Sequence, residues 1–257
     1  LPLVALGVRR LVWEGKPLFF AVTLGLTILF QYYIGYMVCL FSALYFIVQL
    51  LLKSIDKPLD RGEGWRGIGR FFLSALLAVG LAAAVLVPAA FSLSRGYGEL
   101  DTSLLTFARK FVLPDMLTKL YTGSMSITQA RDGLPNVYIG IPLLALPPFF
   151  FFSRSVRLRR RLVWLGLLVV FLLSLQISVL YYAWHAFERP TYYAARFAFV
   201  ISFTLIELAW LGYKELEAFP GKKRRLVAGI SAAVFAAMTV LLFRHLSIDY
   251  LSYRTIA

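Results

Sequence analysis

The chain has 257 residues, 60% of them hydrophobic and 16% charged, and a mean hydropathy of +0.75. Since an ordinary soluble domain is only about half apolar, this composition excludes a water-soluble fold and predicts a membrane protein. The net charge of +14 would indicate nucleic-acid binding in a soluble protein, but here Lys and Arg cluster between long apolar runs. We therefore expect membrane lipids, and no nucleic acid, as partners. The single cysteine, Cys39, excludes a disulfide within the chain.

Membrane spans are predicted from the length of the apolar runs, because a bilayer core of roughly 30 Å needs about 20 helical residues. Residues 1–8 form a partial first span, and since the chain begins with Leu1 and lacks a signal-peptide layout, we expect a fragment of a longer protein. The run 17–52 would measure about 54 Å as one helix, so it is predicted to form two helices with a turn near 31–35. The further predicted spans are 71–93, 137–152, 162–180, 193–211 and 226–243.

The distribution of charge supports this division, because Lys and Arg concentrate in cytoplasmic loops. If successive loops are assigned alternately to the two sides of the membrane, eighteen of the 27 basic residues fall on one side. The sequence therefore predicts an all-α, polytopic transmembrane bundle with about seven complete spans, which forms a single membrane domain over residues 1–257. The residues assigned to the cytoplasmic side are Arg9, Arg10, Lys16, Lys53, Lys57, Arg61, Arg66, Arg70, Arg154, Arg157, Arg159, Arg160, Arg161, Lys214, Lys222, Lys223, Arg224 and Arg225.

The extracytoplasmic segments are then 31–36, 94–136, 181–192 and 244–257. In the long loop, 94–136, apolar residues recur at helical spacing beside charged ones. This pattern predicts either a helix that lies in the membrane interface or a loop helix that folds on the bundle. The apolar residues are Leu104, Leu105, Phe107, Phe111 and Val112.

The span 137–152 has proline at 142, 147 and 148, so we expect a kinked or partly broken helix. The sequence contains no nucleotide-binding loop, metal-ligand spacing or nucleophile elbow.

Twelve of the fourteen tyrosines lie in or beside the predicted outer segments. An aromatic belt at the lipid headgroups accounts for many of them. Aromatic faces with a hydroxyl rim also suit sugars, so both interpretations stay open.

The densest outer segment, residues 181–199, reads YYAWHAFERPTYYAARFAF. Arg196 is predicted to lie a few residues inside the following helix, where a guanidinium either snorkels to the headgroups or binds a phosphate. His185 is either a proton carrier near neutral pH or a hydrogen-bonded interfacial residue. The segment also contains Glu188 and Arg189, so it gathers a histidine, a glutamate and two arginines between two spans.

Three stretches occur in an order that resembles the bacterial YfhO membrane-protein family. They are QYYIGYM at 31–37, PNVYIG at 135–140, and WH through RFAF at 184–199. The opening LPLVALG, followed by RRLVWEGK, is similar to the part of that family just after its early spans. The motifs are short, and their order together with the hydropathy extends the resemblance over essentially the whole chain.

The resemblance implies a glycosyltransferase of the multi-spanning class. Such an enzyme takes a sugar from a polyprenyl-phosphate donor outside the bacterial cytoplasmic membrane and places it on a cell-surface polymer such as teichoic or lipoteichoic acid. In that class an acidic residue of the first outer loop activates the acceptor or positions a divalent metal. That loop would precede Leu1, so no catalytic residue is assigned here. The candidate ligands are Arg196, Arg189 and His185 for the lipid phosphate, and Tyr36, Asn136 and Tyr138 for the sugar.

The alternative function is a lipid-sugar flippase or transporter, which would bind the same groups without chemistry. Transporters typically show repeated halves or paired broken helices with ionisable residues at mid-membrane depth. The features in that direction are Glu207, inside a predicted span, and the proline-rich span 137–152. A membrane scaffold without a ligand is the third possibility.

Overall fold

The chain folds into helices, and in this computed structural model every regular element of the described residues is a helix. The structure describes residues 1–96, 106–108, 116–120, 134–190, 193, 195–216 and 220–245. In chain order the α-helices are α1 (Pro2–Glu14), α2 (Leu18–Phe30), α3 (Tyr32–Asp56), α4 (Arg61–Leu81), α5 (Ala83–Gly96), α6 (Ile141–Leu144), α7 (Pro147–Phe152), α8 (Leu158–Gln176), α9 (Ser178–Ala183), α10 (Ala198–Leu216) and α11 (Gly221–His245).

The helices group into two compact units. In the first unit α1, α2 and α3 pack against one another, and α4 packs mainly on α2. In the second unit α10 packs on α6 and α7. The single membrane domain expected over 1–257 stays a prediction. The first unit comprises Leu1–Leu105, Leu162–Val169 and Tyr182–Glu188, and the second comprises Thr106–Arg161, Val170–Tyr181 and Arg189–Ala257.

The turn predicted inside the run 17–52 is confirmed. Helix α2 ends at Phe30 and α3 begins at Tyr32, while Gln31 between them is extended, with φ −156° and ψ 92°. The 25 residues of α3 give about 37 Å of helix, enough to cross a bilayer core. Among the described residues, α3 is the one unbroken helix long and apolar enough to be a candidate span.

The prediction of one continuous helix over 71–93 is wrong. Helices α4 and α5 are separated at Ala82 by a bend of 76°, so together they form at most a broken span. Gly80 precedes the bend and Pro88 follows it, and both residue types weaken a helix. With this pair the described residues contain up to two candidate spans. The total of about seven spans stays a prediction.

The span predicted at 162–180 is interrupted at Ile177, between α8 and α9. The backbone N–H of Ser178 donates to the carbonyl of Ala108 at 3.0 Å, and that of Val179 donates to the carbonyl of Thr106 at 3.0 Å. The Ser178 hydroxyl also donates to Ala108 O, at 2.9 Å. These bonds replace the helical ones that the break removes. The helix predicted from Leu104 to Val112 lies mostly outside the described residues, and the described part, 106–108, is not helical.

The broken helix predicted at 137–152 is confirmed as the short helices α6 and α7, which follow a non-helical stretch that ends at Gly140, with φ 94°. Helix α10 approaches this region closely, since a Cβ on Gly212 would collide with the backbone of Leu146. One turn later, at the end of α10, Glu215 accepts a hydrogen bond from the Ser153 hydroxyl at 2.6 Å and another from the Ser155 hydroxyl. The loop after α7 is therefore fixed to the end of α10.

The core of the first unit is a stack of aromatic rings. Phe71 of α4 lies against Phe20 of α2, with ring centroids 5.3 Å apart, and against Phe46 of α3 at 4.4 Å. The helix backbones can approach because glycine stands at the crossings. A Cβ on Gly7 would be 2.7 Å from Phe20 Cα, and one on Gly35 would be 2.8 Å from Ile28 Cα. Both distances are too short for any side chain.

We expect Gly7→Ala to lower the free energy of unfolding by about 1–3 kcal/mol, because the added methyl group must push α1 away from α2. The matched control is Gly80→Ala, since a Cβ there meets nothing within 4 Å and alanine favours the helix. Thermal unfolding of both variants in detergent checks this. Equal midpoints for the two variants would contradict the close helix crossing at Gly7.

Candidate functional site

Two of the predicted outer segments meet in the first unit. Tyr36, in the second turn of α3, donates its hydroxyl to the carbonyl of Ala183 at 2.7 Å, across 147 positions of the sequence. Ala183 ends α9 and lies two residues before His185. The structure thus brings the segment 31–36 to the segment that contains His185, as expected if both lie on one side of the membrane.

The turn that ends α9 has the hydrogen bonds of a Schellman cap. The N–H of Phe187 donates to Tyr182 O at 2.8 Å, and the N–H of Ala186 donates to Ala183 O at 3.4 Å. Glycine usually occupies the left-handed position of this cap, but here Ala186 has φ 53°, and the next residue, Phe187, has φ 60°. Two left-handed residues of this kind cost of order 1–3 kcal/mol each, and such residues concentrate at functional sites.

His185 lies at the start of this cap and is fully buried. Its backbone N–H donates to Tyr182 O at 2.9 Å, while its own carbonyl accepts the N–H of Glu188 at 3.0 Å. Glu188 and Arg189, which follow, are exposed. Because the imidazole is enclosed, it is placed to hold neighbouring groups rather than to meet a ligand directly from solvent.

Arg196 does not lie inside a helix, contrary to the prediction. Helix α10 begins at Ala198, two residues later, and Arg196 is half-buried in the turn before it. Tyr193, with φ 54°, excludes a right-handed helix that begins at residue 193, and residues 195–197 form a turn before α10. The guanidinium thus belongs to the loop that leads into α10.

Asn136 and Tyr138 are both exposed, on the non-helical stretch before α6. The side-chain oxygen of Asn136 accepts the backbone N–H of Tyr138 at 3.3 Å. These two residues belong to the second unit together with Arg189 and Arg196, whereas Tyr36 and His185 belong to the first. The structure therefore groups the predicted site residues into two sets.

Burial separates the aromatic residues into core and surface. Tyr181 and Phe197 are fully buried and pack edge to face, with centroids 6.0 Å apart and an interplanar angle of 67°. Trp184 is also buried. In contrast, Tyr138 is 37% exposed and Tyr193 is 56% exposed. Among these residues, the exposed rings are the ones that can stack on a sugar.

A residue that the sequence analysis missed is Lys119, in the 3-10 helix Leu117–Leu120. It is fully buried, and burial lowers the pKa of its ammonium group to about 8. A lysine in this range can carry or accept a proton near neutral pH. Its apolar neighbours Met116 and Leu120 could have indicated that it is buried. In the sequence, however, it is one of several basic residues of the long loop 94–136.

A divalent metal, which the glycosyltransferase class sometimes uses, needs several oxygen or nitrogen ligands. The described residues contain no cluster of three or more His, Cys, Asp or Glu side chains that could hold one.

Comparisons with known proteins address the family. The family described as Bacterial membrane protein YfhO matches residues 1–256. A curated protein of Bacillus subtilis (strain 168), named Uncharacterized protein YfhO, is 24% identical over 223 residues. The match covers 87% of this chain but 23% of that protein, so the chain spans less than a quarter of the relative's length. No solved structure matches the chain. Since the family match extends over nearly every residue, the chain belongs to the YfhO family of bacterial membrane proteins.

Proposed function

We propose that the protein containing this chain is a membrane glycosyltransferase. It takes a sugar from a polyprenyl-phosphate donor on the outer face of the bacterial cytoplasmic membrane and transfers it to a cell-surface polymer such as (lipo)teichoic acid. In this reaction the bond between the sugar's anomeric carbon and the phosphate oxygen breaks. The acceptor hydroxyl forms the new glycosidic bond and loses its proton, and polyprenyl phosphate leaves.

The observation that carries the proposal is the hydrogen bond from Tyr36 to Ala183 O. It joins two segments of the family-like motifs, QYYIGYM and the WH stretch, at one end of α3. A lipid-linked donor needs such a place, where its chain stays in the bilayer while its sugar phosphate meets polar groups at the helix ends. Exposed phenol rings nearby in sequence supply surfaces of the type that bind sugars.

Arginine supports the phosphate half of the proposal. Negative charge builds up on the phosphate as it leaves, and a guanidinium can donate to two of its oxygens at once. Arg196 is half-buried just before α10, and Arg189 is exposed on the same loop. We assign both to the lipid phosphate and, in the same unit, Asn136 and Tyr138 to the sugar. In the first unit, following the family resemblance, we assign Tyr36 to the sugar and the buried His185 to a positioning role.

A lipid-sugar flippase is the second candidate, and the interrupted helices favour it. Helices α4 and α5 are bent by 76°, and α6 and α7 form a second interrupted pair. Paired broken helices are typical of transporters. The two functions are distinguished in proteoliposomes with a labelled polyprenyl-phosphate sugar. A transferase produces glycosylated polymer only when acceptor is present, whereas a flippase moves the donor across the bilayer without any acceptor.

We expect Arg196→Lys to weaken the use of donor and Arg196→Ala to weaken it further, by about tenfold to over a hundredfold. The reason is that charge-assisted hydrogen bonds contribute about 1.5–3 kcal/mol each. The assay is donor-dependent transfer by the purified full-length protein at subsaturating donor, with thermal unfolding as a check of the fold. Arg159→Ala is the control, because Arg159 is exposed in the first turn of α8, on the predicted cytoplasmic side. If Arg196→Ala transfers sugar as well as this control, the phosphate is bound elsewhere.

We expect Tyr36→Phe to raise the KM for the donor more than it changes kcat. The aromatic ring is kept, but the segment that contains His185 loses its hydrogen bond from the Tyr36 hydroxyl to Ala183 O. The lost hydrogen bond costs about 0.5–1.5 kcal/mol of stability. Tyr32→Phe is the control, because Tyr32 is exposed in the first turn of the same helix. A change in thermal midpoint without any change in KM would contradict this prediction and show that Tyr36 has only a structural role.

A further inference from the structure

A basic cavity lies at the end of α3 opposite Tyr36, within the first unit. Its volume is about 140 Å³, and its walls come from the end of α1, the last turns of α3 and the first turns of α4. Liquid water occupies about 30 Å³ per molecule, so the cavity has room for a group of a few heavy atoms, such as a phosphate. The charged residues of its wall are Lys53, Glu63, Arg66 and Arg70.

Two of the three basic residues of the cavity, Lys53 and Arg70, also contact the C-terminal end of α1. The ammonium group of Lys53 donates to the carbonyl of Val12 at 2.7 Å. The guanidinium of Arg70 lies over Gly15, the left-handed cap of α1, because a Cβ there would be 2.8 Å from its Nη1. Positive groups at a helix C-terminus are favourable, so these contacts explain why both side chains turn toward the cavity.

Arg66 has no such structural role. It is exposed to the cavity and makes no hydrogen bond or ion pair within the part of the chain that the structure describes. It lies one helical turn from Arg70, and like charges at this spacing repel each other. Glu63, one turn before Arg66, forms no ion pair with it among the described residues. Two guanidinium groups and an ammonium group therefore face the cavity against one carboxylate.

We infer that this cavity binds a phosphate group, the anionic moiety that phospholipid headgroups share with soluble phosphate esters. Arg66 and Arg70 can each donate to two phosphate oxygens, and Lys53 adds a point charge. The bound anion would also relieve the repulsion between the two guanidinium groups. Basic pockets at the ends of membrane helices bind anionic lipid headgroups in this way. The inference does not rest on the proposed glycosyl transfer.

The test is a titration of the full chain, purified in a neutral detergent, followed by native mass spectrometry. One arm uses phosphatidylglycerol, and two further arms use glycerol phosphate and inorganic phosphate. The variants are Arg66→Gln, Arg66→Lys and the double variant with Arg70→Gln. The control is Arg61→Gln, because Arg61 is exposed on the same helix but does not line the cavity. Thermal midpoints without ligand establish that each variant is folded.

We expect the Kd to rise about fivefold for Arg66→Gln and about 25-fold for the double variant, with a smaller rise for Arg66→Lys and none for Arg61→Gln. Tighter binding of phosphatidylglycerol than of the soluble probes assigns the site to a lipid headgroup. Equal binding of glycerol phosphate assigns it to a soluble phosphate ester. Equal Kd values for Arg61→Gln and Arg66→Gln, or no saturable binding of any probe, would overturn the inference.

Discussion

Helix α3 carries a hydrogen-bond donor near each end, and each donor closes the C-terminus of another helix. Near its start the Tyr36 hydroxyl donates to Ala183 O at the end of α9, and near its finish the Lys53 ammonium donates to Val12 O in the last turn of α1. The last carbonyls of a helix have no partner within the helix itself. Val12 is buried and Ala183 is half-buried, so an unsatisfied carbonyl at either place would cost about 1–3 kcal/mol. The first unit is therefore held together at both ends of α3.

The same constraint explains where the chain is interrupted. At Ile177 the carbonyls of Thr106 and Ala108 take over the backbone donors that α8 can no longer satisfy. At the end of α1 the N–H groups of Gly15 and Lys16 donate to Leu11 O and Arg10 O, at 3.2 and 3.3 Å. The break at Ile177 is therefore satisfied by a remote segment of the chain, and the end of α1 by its own last turn.

Much of this arrangement could be predicted from the sequence, because the length of an apolar run shows how many times it can cross a bilayer. The run 17–52 exceeds one bilayer crossing, so a break near Gln31 was required, and the prolines of 137–152 indicated the second interruption. The breaks at Ala82 and Ile177 could not be predicted, since the bonds that permit the latter come from residues remote in sequence. The predicted start of the helix near Arg196 was wrong by a few residues, because hydropathy does not reveal the left-handed backbone of Tyr193.

The candidate site was also predicted in part. The sequence placed the segments of Tyr36 and His185 on the same side of the membrane, but nothing in it indicated that Ala183 O accepts the hydrogen bond from Tyr36.

The central proposal is that α3 crosses the membrane with its Tyr36 end outside and its basic end in the cytoplasm. The direct measurement is labelling of single cysteines by a membrane-impermeant maleimide in intact cells. The background is Cys39→Ala, which removes the natural thiol. Glu188→Cys reports the Tyr36 end and Gly62→Cys reports the basic end, and both positions are exposed. The account predicts labelling at 188 in intact cells and at 62 only after permeabilisation. Labelling of position 62 in intact cells, with position 188 protected, would contradict it.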